Sequence, residues 1–285
     1  MIISVASGKG GTGKTTVSVC LAIAAGYCQF IDYDVEAPNA DIFLKPEIEN
    51  IKKVTIKQPY FLTGKGKNFS ECAEFCQFNA VAVIGSDVIF YPELCHGCGG
   101  CMLVGPKGSV GERDVEVGEV TKGIVKPGID FLKGNLTPGS VRTTAVQDEL
   151  EKMISRKDLV IIDSPPGNSC SMVMSVKNSD YCVLVTEPTP YGFNDITISM
   201  EVLDSLKIPY GVIINRDGIG DSSIENLCRD KNIRLLLKIP NDMGIARCYS
   251  EGGILFDYDT SYKTKFENIL KDIEHVLFQN REHAL

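Results

Sequence analysis

The chain has 285 residues, 44% of them hydrophobic and 23% charged, with a formal net charge of −8. That balance supplies a core for one large domain, or for one domain carrying an insertion. The net acidity and the lack of a Lys/Arg-rich run argue against a nucleic-acid partner held by a broad basic face. No apolar run approaches the length of a membrane span, and the start of the chain lacks a basic region before its apolar stretch. A cytoplasmic protein with no membrane partner is therefore expected.

In chain order, residues 2–6 predict a buried strand, 14–26 a helix and 29–33 a second strand. After residue 140 the rhythm resumes with helices over 141–154 and 194–206 and strands over 159–163, 181–186, 210–215 and 234–239. Short runs of Val, Ile and Leu alternating with helices predict an α/β fold, a doubly wound and mostly parallel sheet. Between about residues 60 and 109 the rhythm fails: Gly and Cys are frequent, and only 80–84 and 88–91 read as strand. The expected division is 1–59 and 110–285 for the main domain, with 60–109 as a small inserted α+β domain. Near the end of the chain Phe266, Ile269, Leu270, Ile273 and Leu277 form one apolar stripe. Its opposite face mixes acids and bases instead of being basic, so the helix is expected to cover the sheet and not to lie on a membrane.

Directly after the first strand, Gly8-Lys9-Gly10-Gly11-Thr12-Gly13-Lys14-Thr15 fits G-x-x-x-x-G-K-[ST], with Thr16 following. Glycines let the backbone turn its N–H groups towards phosphate oxygens, and the next helix points its positive dipole end at the same anion. Lys14 is expected to reach the β- and γ-phosphates of ATP, and the Thr15 hydroxyl to take a place on Mg²⁺. Carboxylates at neighbouring strand ends suit the remaining roles: Asp34 to orient the attacking water, Asp163 to hold magnesium, Asp32 to support the metal shell or the sheet end. Gly167 offers an N–H to the γ-phosphate, and Pro240 is placed at the nucleotide.

The second lysine, Lys9, makes this loop resemble the deviant Walker A of the MinD/ParA/nitrogenase-iron-protein superfamily. Residues 31–39 look like its switch I and 161–167 like its switch II. Residues 212–216 look like the strand end whose Asn, here Asn215, reads adenine, and its carboxamide could equally satisfy a loop backbone. The resemblance implies an ATP-dependent homodimer in which Lys9 crosses to the partner's nucleotide, with slow hydrolysis.

Eleven cysteines divide into two sets. Cys20, Cys28, Cys170, Cys182, Cys228 and Cys248 are scattered and expected to act as small buried hydrophobes. Cys170 is also placed as a nitrogenase iron protein ligand would be, although packing at a helix start is the preferred reading. The other five fall within residues 72–101, and Cys95-x₂-Cys98-x₂-Cys101 favours iron–sulfur over zinc. This region resembles the two-cluster bacterial ferredoxin module, in which the fourth Cys of each run serves the other cluster. The resemblance implies one 4Fe–4S cluster on Cys76, Cys95, Cys98 and Cys101. The second site, at positions 66, 69, 72 and 105, is lost, because Gly66, Phe69 and Gly105 leave Cys72 alone. His96 is expected to be a loop residue. The Thr137-Pro-Gly-Ser-Val-Arg stretch departs from the family pattern. These features imply an ATP-driven dimerisation switch coupled to a cluster, meeting a redox partner or a metalloprotein. The alternative is a positioning ATPase with a structural cluster or zinc.

Overall fold

Strands buried on both faces explain the architecture. In the computed structural model, which describes residues 1–64, 67–85, 87–155 and 158–282, the chain begins β1 (Ile2–Ala6), α1 (Lys14–Ala25), β2 (Cys28–Asp32), α2 (Asp41–Leu44) and β3 (Glu47–Phe61). The described part of residues 62–109 holds α3 (Ser70–Phe75), β4 (Val81–Ile84), β5 (Asp87–Phe90), a 3₁₀ turn at Pro92–Leu94 and α4 (Gly100–Val104). Then follow β6 (Val110–Val125), β7 (Ile129–Leu136), α5 (Thr143–Lys152), β8 (Val160–Asp163), α6 (Cys170–Val176) and β9 (Tyr181–Thr186). The last elements are α7 (Pro190–Leu206), β10 (Tyr210–Asp217), α8 (Ser223–Asp230), β11 (Arg234–Pro240), α9 (Met243–Ser250), α10 (Leu255–Tyr258) and α11 (Ser261–Glu282).

Nine strands form one sheet in the order β11-β10-β9-β1-β8-β2-β7-β6-β3. From β11 to β7 every pairing is parallel, and β6 and β3 extend the edge as antiparallel strands. The expected α/β fold with a mostly parallel sheet is what the chain adopts. On one face Ile3, Val5, Phe30, Ile161, Val183 and Ile213 pack with Val17 and Leu21 of α1 and Phe266, Ile269 and Ile273 of α11. The predicted C-terminal stripe thus lies in the core. On the other face Leu184, Val212 and Ile214 meet α6, α7 and α8, while Ile31, Val160 and Ile162 meet Val146 and Leu150 of α5. Successive residues of β9 (Cys182, Val183, Leu184) serve opposite cores, as the period-two geometry of a strand requires. Among the described residues no helix is long and apolar enough to cross a membrane.

Two features differ from expectation. β3 and β6 are one long hairpin, paired from Glu47–Ile124 to Phe61–Val110. Residues 47–59 were not read as strand, because most of β3 is exposed and offers no apolar alternation. The hairpin is tied instead by ion pairs such as Lys53–Glu116 and Lys57–Asp114. Residues 62–109 leave from its tip. The scattered cysteines also divide: Cys20, Cys28, Cys182 and Cys228 are buried, but Cys170 is exposed and Cys248 half-buried. Burial pushes the thiols of Cys20, Cys28 and Cys182 up to about 12, so they stay protonated.

Candidate functional site

In a parallel sheet the strand ends point one way, and ligands gather at their carboxyl edge. Lys9 follows β1, and Asp32, Asp163, Glu187, Asn215 and Pro240 lie at or just beyond the ends of β2, β8, β9, β10 and β11. The loop after β1 turns into α1 at Gly13, which has φ 90° at the helix N-cap. A side chain there would strain the backbone and collide with Asn215. The helix start therefore stands open to a cavity of ≈ 360 Å³ lined by Gly10, Lys14, Thr15, Thr16, Asp34 and Asn215, among others. Pro240, Asp242, Tyr249 and Tyr258 form its far wall.

At the cavity floor Lys14 Nζ donates to Asp163 Oδ1 at 2.9 Å, and Thr15 Oγ1 donates to Asp163 Oδ2 at 2.7 Å. Asp32 accepts the backbone N–H groups of Asp34, Asn39 and Ala40 at 3.2, 3.0 and 3.0 Å, which fixes the loop after β2. Burial opposes the Lys14 charge, yet the neighbouring Asp163 carboxylate holds its pKa above the ordinary value. Burial, with Asp163 close by, pushes Asp32 up to about 7 despite the Ala40 N–H and Lys14. Asp34 is also raised, by burial and by Asp163, with Lys14 opposing. Three carboxylates around one ammonium leave an excess of negative charge, and a divalent cation held by oxygen ligands would offset it. Asp163 and Thr15 are the residues positioned to hold such a cation.

The expected residues converge here, with one difference. The Gly167 N–H donates to Ser7 O at 3.0 Å, so it is engaged within the chain and not free for a phosphate. Asn215 Nδ2 donates to Thr12 O at 2.8 Å and so braces the phosphate loop while also lining the cavity. One residue carries no motif of its own in the sequence. Glu187, buried just after β9, pairs with Lys9 and, through its second oxygen, with Arg216 at 3.0 Å. A carboxylate directly after a buried strand, on the ligand edge of the sheet, was the available signal.

A second cavity lies in the segment beyond the β3–β6 hairpin. Cys76, Cys95, Cys98 and Cys101 all line it, with His96 and Phe78 stacked at 3.7 Å between ring centroids. The Ala80 N–H points at Cys76 Sγ (3.3 Å) and the Gly97 N–H at Cys95 Sγ (3.4 Å). Burial and the surrounding thiols push Cys101 up to about 12. Among the described residues no three His, Cys, Asp or Glu side chains converge as the ligands of a single metal ion would. The four cysteines line a space of ≈ 20 Å³. Four thiols, with N–H groups facing two of them, form a donor set suited to a soft metal centre.

Cys72 is set apart. It is 0% exposed, and its Sγ faces the Cys101 carbonyl at 3.8 Å. It packs with Phe69 and Val81, with Phe61, Phe90 and Val110 alongside. At Gly105 an added Cβ would stand 2.5 Å from Val110 Cγ2 and 3.1 Å from Cys72 Sγ. Apolar side chains fill the region where a second set of thiolates would be needed. Gly66 lies outside the described residues.

Comparison with known proteins agrees with this geometry. Residues 3–255 match the CobQ/CobB/MinD/ParA nucleotide-binding domain. The chain is 31% identical to an uncharacterized protein of Methanocaldococcus jannaschii over 271 residues, 91% of this chain and 93% of that one. It is 23% identical to an iron–sulfur cluster carrier protein of Pyrococcus abyssi over 275 residues, 88% of this chain and 77% of that protein. The solved structure of the septum site-determining protein MinD with Mg-ADP from Pyrococcus horikoshii superposes with a TM-score of 0.57 at 20% identity. That alignment covers 96% of each chain and shows a shared fold. With a Walker-type loop, its lysine and its strand-end aspartates in one cavity, the chain is a P-loop ATPase and belongs to the CobQ/CobB/MinD/ParA nucleotide-binding family.

Proposed function

We propose that this ATPase is an ATP-dependent dimerisation switch that carries one 4Fe–4S cluster and serves in iron–sulfur assembly. The observation that carries the reading is the sorting of five clustered cysteines. Cys76, Cys95, Cys98 and Cys101 line one cavity, while Cys72 lies outside it, fully buried in an apolar cluster that Cys101 borders. The order α3, β4–β5 hairpin, α4 supports a ferredoxin-like segment inserted at about residues 60–109. Similarity to a cluster carrier supports assembly, and the exposed Cys98 would leave a cluster within reach of an acceptor. The cluster supplies an exchangeable, redox-active iron–sulfur unit when bound; the chain's residues hold it and shield one side of it.

At the other site Lys14 neutralises the β- and γ-phosphates, and residues 8–16 supply N–H donors around them. Asp163 and Thr15 hold magnesium, and Asp34 orients the attacking water. Lys9 is paired with Glu187 of its own chain. To reach a second copy's nucleotide it must exchange that carboxylate for phosphate, which ties dimer formation to ATP. Lys9→Ala should therefore bind ATP as the wild type does but lose ATP-induced dimerisation; equal dimer in both by light scattering would refute the trans role. Asp34→Ala should accumulate an ATP-bound dimer, with turnover reduced about 100-fold or more. Normal turnover by phosphate release would remove Asp34 from the mechanism.

A second reading, ATP-gated electron delivery, rests on the same four thiols. Incubating iron-loaded protein with an apo-ferredoxin separates the two. Transfer of iron to the acceptor supports assembly, whereas a cluster that stays bound and cycles reversibly between oxidation states supports electron delivery.

A further inference from the structure

The unusual 137–142 stretch ends in Arg142, a residue the nucleotide and cluster readings leave unused. It is 7% exposed, yet among the described residues the partners of its guanidinium are carbonyl oxygens and not a carboxylate. Nε donates to Cys95 O at 2.6 Å, and Nη2 donates to Pro92 O, which also accepts from Gln58 Nε2 at 3.0 Å. A buried cation without a counter-anion is costly, and an apolar side chain of similar size would fill the space without that cost. Its geometry has a specific effect: the fork grips both ends of the turn that presents the first thiol of the Cys95–Cys101 run. Burial raises the Cys95 thiol, and the Gly97 N–H and the Arg142 charge oppose that rise.

Arg142 is also the N-cap of α5. Five residues on, about 7.5 Å along the helix, Gln147 grips the nucleotide side. Its carbonyl accepts from Tyr33 Oη at 3.0 Å, and its Nε2 donates to Tyr33 O at 3.4 Å. Tyr33 stands between Asp32 and Asp34, and its own N–H donates to Asp163 O at 2.9 Å. One short helix therefore holds the loop of the nucleotide site at its middle and the cysteine loop at its start. A helix in contact with both sites offers a physical route by which one could bias the other.

We propose that Arg142 is a positioning residue that sets the cysteine loop and couples it, through α5, to the nucleotide site; this rests on the cluster reading given above. The coupling runs both ways, since a change in one site's affinity caused by the other must be reciprocated.

The test uses full-length protein loaded anaerobically with iron and sulfide. Iron release to a chelator is followed with and without Mg-ATP, and the midpoint potential is measured in parallel. Wild type should release iron at rates that differ about fivefold or more between the two conditions. Arg142→Met should release iron about 10- to 100-fold faster and no longer respond to ATP. Its midpoint potential should move to more negative values, because a positive charge favouring the reduced cluster is gone. Arg142→Lys keeps the charge but not the fork, so its potential should stay near wild type while its ATP response falls. Should the Met variant not fold, the Lys variant decides, and an undiminished ATP response in it overturns the proposal. So does an Arg142→Met protein with wild-type release and response, or a wild type indifferent to ATP. Wild type holding four irons in those cases leaves the cluster reading intact, whereas wild type without iron sinks both.

Discussion

Replacing Lys14 with alanine is expected to abolish Mg-ATP binding. The side chain is 8% exposed, and Asp163 holds its ammonium at the floor of the cavity. Without it, Asp32, Asp34 and Asp163 would face the nucleotide phosphates with no cation of the chain's own between them. Removing one partner of a buried charged pair costs about 3–5 kcal/mol, which is more than about a hundredfold in affinity. Part of that cost falls on folding, since Asp163 is 0% exposed and loses its partner. A melting curve run beside the calorimetric titration separates the two effects. A folded variant with wild-type nucleotide affinity would remove Lys14 from the site.

The second large effect concerns the cysteines. Cys76→Ala should lose most of its iron, because removing one of four thiolates leaves an iron open to water and oxidation. Cys72→Ala should keep its iron and lose only the packing of one small buried side chain, a stability cost of about 1 kcal/mol. The two positions are four residues apart and joined by the hydrogen bond from Cys76 N to Cys72 O at 3.2 Å. General unfolding of this turn would therefore affect both variants alike, and a difference between them isolates ligation. Iron lost from Cys72→Ala and kept by Cys76→Ala would reverse the assignment.

What could be read from the sequence follows from how each feature is built. The parallel strands were legible because both their faces are buried, which leaves uninterrupted runs such as Val160–Asp163 and Tyr181–Thr186. The β3–β6 hairpin was not, because its stability comes from register and paired charges and not from an apolar stripe. Lys14, Thr15 and Asp163 announced themselves through a spacing that phosphate and metal chemistry demands. Glu187 and Arg142 carry no such pattern. Glu187 meets Lys9 across 178 positions, and Arg142 meets Cys95 across 47, so only the folded chain brings them together. The Gly167 N–H was read as free for phosphate, but the return of its loop to Ser7 depends on how β1 and β8 are paired in register.

The cluster on an ATP switch is the central claim, and metal analysis of wild type tests it most directly. Protein purified anaerobically and freed of loosely held metal should contain about four irons and about four sulfides per chain, with no stoichiometric zinc. A single zinc, or about eight irons, would contradict the account: the first would make the cysteine site structural, and the second would require a cluster where Phe69 and Cys72 are packed.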